Sequence, residues 1–270
     1  MKIGIFDSGY GGLTVLEKIV ERLPQYDYIY LGDNARTPYG THSFDVVYDF
    51  TLECVKKLFE LDCQIVILAC NTASAKALGT IQHNDLPQIA PARRVLGVIR
   101  PTAERIQEFT NTNIVGLFGT TGTIQSKSYE LEIAKIFPKI SVVAEACPMW
   151  VPLVENNFYD TQGADFFVKY HIDNILQKNK NIDAIILGCT HYPLLLKKIK
   201  QFLPENIKIV VQGSIVAESF AAYLAHHPEH ETLCSKNGTV EFYTTESPEN
   251  FSDLAKSVFN MDIKVKKIVV

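Results

Sequence analysis

Two tripeptides hold the side chains best suited to chemistry, Cys70-Asn71-Thr72 and Cys189-Thr190-His191. Each follows an apolar, β-branched run, QIVILA before the first and DAIILG before the second. Such runs read as buried strands, so each cysteine is delivered to a strand's carboxyl end. A thiol has an intermediate pKa and can serve as acid or base. The polar residues after it offer donors and acceptors for a carboxylate or an amino group. A single strand-end cysteine would read as a small buried hydrophobe. Two at matched positions need a reason. A disulfide is disfavoured in a reducing compartment. A metal pair would need more ligands, and only His191 stands close in sequence. Proton transfer to and from opposite faces of one carbon fits best, and its outcome is inversion of a stereocentre.

Three further groups stand near such strand ends. Asp7-Ser8-Gly9-Tyr10-Gly11-Gly12 follows the first strand, but Thr14 stands where a dinucleotide fingerprint needs glycine. By spacing alone Asp7 is either a helix cap or a carboxylate beside a thiol or a substrate ammonium. Glu155 and His191 are the other titrating candidates, with His191 placed to tune or relay the proton of Cys189. Pro38-Tyr39-Gly40 reads as a turn.

These residues require a scaffold of strands alternating with helices. Strands are expected at 2–6, 28–31, 64–69 and 95–99, with helices over 13–23, 45–61 and 72–82. That βαβα order implies parallel strands with ligands at their carboxyl ends. The pattern then repeats: IDAIILGCTH (182–191) aligns under CQIVILACNT (63–72), placing Cys189 on Cys70, and VGLFGTT (115–121) aligns under IGIFDSG (3–9). The fold class is therefore α/β, two pseudo-symmetric domains with mainly parallel sheets and the active site between them. The segment after 210, with the strand at 207–211, is assigned to the first half. The expected domains are 1–97 plus 210–270, and an inserted 98–209. Residues 226–237 read as a surface loop.

The composition narrows the function. The chain has 270 residues, 47% hydrophobic and 21% charged, with a formal net charge of −4. No general grip on nucleic acid or an anionic membrane is suggested. MKIGIF is too short for a signal-peptide core, and no apolar run reaches membrane-spanning length. A cytoplasmic location is the expectation. None of the six cysteines forms a CxxC pair, so no zinc or dithiol redox site is signalled.

DSGYGG (7–12), PYG (38–40), CNTAS (70–74), VPLVE (151–155) and GCTHYP (188–193), in this order, resemble the glutamate racemase family over nearly the whole chain. The resemblance implies a cofactor-independent enzyme, with no metal, that interconverts L- and D-glutamate and supplies D-glutamate for peptidoglycan. It implies Cys70 as the thiol that deprotonates D-glutamate and Cys189 as the one that deprotonates L-glutamate. Asp7 would assist the first, and Glu155 with His191 the second. Asp7, Ser8, Tyr39, Gly40, Asn71, Thr72, Thr190 and His191 match substrate-binding positions, and Thr120 and Thr123 match the threonines after the fourth strand of the family. Arg100 stands where many members carry a glutamate, and QGSIVAES (212–219) replaces a commoner aspartate-containing version. A homodimer is expected, and activation by a peptidoglycan precursor is not. Alternatives are an aspartate or hydantoin racemase, a two-lobed amino-acid binding protein, and a thiol hydrolase, which would leave the second cysteine without a role.

Overall fold

The computed structural model describes residues 1–270. Ten strands form two sheets: β1 (Lys2–Asp7), β2 (Tyr28–Gly32), β3 (Cys63–Leu68), β4 (Arg94–Gly97), β5 (Ile114–Gly119), β6 (Ser141–Ala146), β7 (Ala184–Gly188), β8 (Lys208–Val210), β9 (Val240–Thr244) and β10 (Val265–Lys267). Every pairing is parallel. The first sheet runs β10-β9-β2-β1-β3-β4, and the second β6-β5-β7-β8. The order β2-β1-β3-β4 is thus repeated as β6-β5-β7-β8. The duplication seen in the sequence is a duplication of topology, and β3 and β7, which precede the two cysteines, are equivalent strands.

Alternation along the strands buries both faces of each sheet. Ile3 and Ile5 of β1 face one way, with Leu16, Val216 and Phe220 packed beneath them. Phe6 faces the other way, onto Val47, Leu58 and Leu68. In β7, Ile185 and Leu187 pack with Trp150 and Ile172, whereas Ala184 and Ile186 pack with Tyr129 and Ile133. Burying one such aliphatic or aromatic side chain contributes about 1.5–3 kcal/mol. Both sheets are therefore clamped by helices, and their carboxyl edges can carry polar groups. No helix is long and apolar enough to cross a membrane.

Three expectations need correction. The strand at 207–211 does not join the first half: β8 pairs with β7, as the repeat's counterpart of β4. The helix expected over 72–82 is broken at Ala77 and widens into a π-helical turn over Ile81–Asp85 before Pro87. That proline has no N–H to give the ladder, and its ring crowds the carbonyl four residues back. The segment 226–237 is not all loop. The helix Gln212–His226 runs into it, and Pro228 opens a short helix Pro228–Glu231, where its fixed φ is favourable.

Candidate active site

β3 ends at Leu68, and Cys70 caps the helix Asn71–Lys76, its Sγ accepting from Ala73 N–H at 3.5 Å. The thiol is 5% exposed and lies 3.5 Å from Ser8 Oγ. Burial, reinforced by the Asp7 carboxylate, pushes its pKa up to about 12, against the opposing bonds to Ser8 and Ala73. Asp7, fully buried at the end of β1, accepts from Gly9 N–H at 3.0 Å and from Thr190 Oγ1 at 3.2 Å. Its burial raises its own pKa, although the charge of His191 opposes the shift.

Cys189 follows β7 in the same way, but its neighbours differ. His191 Nδ1 lies 3.8 Å from Cys189 Sγ, and His191 Nε2 lies 3.0 Å from Glu155 Oε1. Burial works against a charge on this imidazole, yet Cys189 and Glu155 together hold its pKa well above the usual value. An imidazolium can donate from both nitrogens at once, which is what two acceptors on opposite sides of the ring favour. Glu155 closes the helix Trp150–Glu155 and also accepts from Thr37 Oγ1 of the other half at 3.2 Å.

Ser8, Tyr39, Gly40, Cys70, Asn71, Thr72, Thr120, Cys189, Thr190 and His191 all line one cleft between the two sheets. Asp7 stands behind Thr190. Thr72 Oγ1 meets Thr120 Oγ1 at 2.9 Å and Thr123 Oγ1 at 3.3 Å, joining the halves across the cleft floor. Two glycines allow this approach. A Cβ on Gly40 would stand 2.6 Å from the Thr120 side chain, and one on Gly11 2.5 Å from Thr190 Oγ1. The Tyr39 hydroxyl donates to Asp33, which also binds Arg36, so the PYG turn is anchored from behind. The cleft is narrow, with about 20 Å³ open to the centre of a water molecule, whereas a cavity at the chain crossing has about 860 Å³ by the same measure. We take the small cleft as the site because both thiols and the perturbed imidazole meet there, and the large cavity holds neither.

Residues 3–218 match the Asp/Glu/Hydantoin racemase family. A glutamate racemase of Roseobacter denitrificans is 39% identical over 265 residues, covering 94% of this chain and 95% of its own. The chain belongs to the Asp/Glu/hydantoin racemase family. It is an amino-acid racemase. Among solved structures, a glutamate racemase isoform of Bacillus anthracis superposes with a TM-score of 0.90 at 34% identity, covering 100% of this chain and 97% of that one. The glutamate racemase of Francisella tularensis, solved in complex with D-glutamate, gives 0.87 at 31% identity, covering 99% and 97%.

In this racemase a closed hydrogen-bonded ring supports Asn71 from behind. Asn71 Nδ2 donates to Gln212 Oε1 at 2.7 Å, Gln212 Nε2 donates to the Tyr129 hydroxyl at 2.6 Å, and that hydroxyl donates to Asn71 Oδ1 at 2.6 Å. Gln212 Nε2 also reaches Thr102 Oγ1 at 2.8 Å. The ring uses the Asn71 carbonyl and one of its N–H groups, leaving one N–H for the cleft. It also joins the helix Asn71–Lys76, the helix Ser128–Ile136 of the second half, and both chain crossings. Sequence reasoning noted 212 only as a departure from the commoner motif. Tyr129 carried no signal at all, because a tyrosine on an amphipathic helix reads as core.

Proposed function

We propose that this racemase interconverts L- and D-glutamate by a two-thiol, cofactor-independent mechanism. The observation that carries the reading is the meeting of Cys70 and Cys189, from equivalent strands of two repeated sheets, in one cleft. The identity to glutamate racemases, at full-length coverage, supports glutamate over other amino acids.

The Cys189 thiolate, beside the His191 imidazolium, takes the α-proton of L-glutamate and becomes a thiol. The Cys70 thiol delivers its proton to the opposite face of the carbanion, giving D-glutamate and a Cys70 thiolate. The reverse direction exchanges the roles, and solvent restores the resting protonation. Asn71 and Thr72, with Thr190 turning its hydroxyl from Asp7 to the substrate, donate to the α-carboxylate, where negative charge develops as the proton leaves. Asp7 and Ser8 assist Cys70, Tyr39 and Gly40 bind the substrate, and Glu155 holds His191. The cleft lies between the two halves, and their closure over bound glutamate would exclude water from the reaction.

The same proposal takes 1–97 plus 210–270 and 98–209 as the moving units, with the second boundary moved past Val210 so that β8 stays with β7, a homodimer as the working form, and D-glutamate for peptidoglycan in the cytoplasm as the role. A substrate panel tests the specificity: L-glutamate must racemise, and preferential turnover of aspartate would overturn the assignment. A two-lobed binding protein would close on its ligand without exchanging the α-proton.

A further inference from the structure

Away from the cleft, the sequence His226-His227-Pro228-Glu229-His230 lies where the helix Gln212–His226 gives way to the helix Pro228–Glu231. His227 Nδ1 is 3.0 Å from Glu229 Oε1, and the same oxygen is 3.7 Å from His230 Nε2. One ligand atom from each of the three side chains lies within 4.8 Å of the others. A tetrahedral zinc ion with ligands at about 2.0–2.1 Å sets them roughly 3.3 Å apart. The two measured edges bracket that value, so small side-chain movements would complete the set.

The nitrogen that His230 turns to the cluster is also uncommitted. His230 is 5% exposed, and its Nδ1 is buried with no partner. Nδ1 lies on the side of the ring turned from Glu229; the nitrogen facing the cluster is Nε2, which stands beyond hydrogen-bonding distance of Glu229 Oε1 and is free to take a ligand. The rings are also held in place. The Tyr223 ring lies 4.4 Å from that of His227 and is parallel to that of His230, within 3°. Two imidazoles and a carboxylate suit zinc and its neighbours better than magnesium or calcium.

We propose that His227, Glu229 and His230 bind a divalent transition ion, Zn²⁺ by the chemistry of the set, with water in the remaining position. Solvent reaches the site through the half-buried His227 and the exposed Glu229. Arg94 also faces His230 and moderates the affinity for a cation. His227 lines the cavity at the chain crossing, so a bound ion sets a positive charge at its rim.

Zn²⁺ titrated into the metal-free full chain, in competition with a chromophoric chelator, tests the proposal. Co²⁺ absorption serves as a second probe, because the six free thiols also bind zinc. One equivalent should bind, with Co²⁺ d–d bands and no sulfur-to-metal charge-transfer band. Glu229→Gln changes an exposed side chain, so folding is not at issue there, and His227→Ala, which removes a half-buried ring, is checked by circular dichroism. Each should weaken binding by about tenfold or more, at least the loss that an outer-shell partner causes. Racemase activity of metal-free Glu229→Gln should equal that of the wild type. No binding, unchanged affinity in both variants, or a charge-transfer band from thiolate ligation would each overturn the site.

Discussion

His191 Nε2 stands 3.0 Å from Glu155 Oε1, and this pair supports one thiol of the cleft only. Beside Cys70 the corresponding charge is the Asp7 carboxylate, which disfavours a thiolate. The resting cleft therefore holds Cys70 protonated and Cys189 next to a cation. This is the form that accepts L-glutamate. The equilibrium constant between enantiomers is unity, so kcat/KM must be equal in the two directions at every pH. The asymmetry must appear in kcat and KM separately. D-glutamate, which needs the minor protonation form, should show a higher KM and a kcat higher by the same factor. Initial rates by circular dichroism measure this, and a higher KM for L-glutamate would contradict the assignment of protons.

Glu155→Gln removes the carboxylate that helps to raise the His191 pKa. The imidazolium then loses its proton at a lower pH and no longer sets a positive charge beside Cys189. We expect kcat to fall by about 10²-fold, within the usual range for acid–base assistance, and KM to change little. His191→Asn should have at least as large an effect and should move the rate optimum to higher pH. An unchanged kcat–pH profile in both variants would remove this pair from the mechanism.

Gln212→Glu tests the ring behind Asn71. A carboxylate at 212 accepts from Asn71 but cannot donate to Tyr129, so the tyrosine hydroxyl turns to it and leaves Asn71 Oδ1 unpaired. The cost is about 1–3 kcal/mol, set against substrate affinity and fold stability together. KM for glutamate should rise about tenfold, because Asn71 no longer presents a fixed N–H to the carboxylate. Gln212→Met, which loses both functions, should raise KM further, and a wild-type KM in both would make the ring purely structural.

Asp27 gives a stability prediction outside the cleft. Burial opposes its ionisation, but bonds from Ser235, Thr239 and Asn237 outweigh this and hold its pKa far below the carboxylate range. Its oxygens accept from Asn237 Nδ2 at 2.6 Å, Thr239 Oγ1 at 2.7 Å and Thr239 N–H at 3.0 Å, tying the end of the β1–β2 connection to the residues before β9. Asp27→Ala should lose about 2–3 kcal/mol in urea unfolding at pH 7. The folded pKa is depressed, so the contribution is present above the unfolded value of about 3.9 and fades as pH falls below it. The gap between wild type and variant should narrow in acid; a constant gap would mean that shape, not charge, matters there.

Much of this was legible in the sequence, because a thiol at a strand end announces itself twice in a duplicated chain. The apolar runs before Cys70 and Cys189 are β3 and β7, and their alignment anticipated equivalent strands. What escaped has physical reasons. The helix Gln162–Lys178 buries Val168, Ile172 and Ile175 at helical spacing, but exposed Phe166 and Tyr170 blur its periodicity. β8 is three residues long, and periodicity cannot say which sheet a strand so short will join. The Gln212 ring depends on residues 83 and 141 positions apart, and only the folded chain brings them together.

The two-thiol mechanism is tested most directly by racemising protiated L-glutamate in D₂O to low conversion and isolating both enantiomers. Separate acid and base thiols on opposite faces predict D-glutamate carrying deuterium at Cα, with the recovered L-glutamate still protiated. Cys70→Ala and Cys189→Ala should each lower racemisation by about 10²–10⁴-fold, the usual worth of a positioned acid or base. Protium retained in the D-glutamate product, or racemisation surviving in both variants, would contradict it.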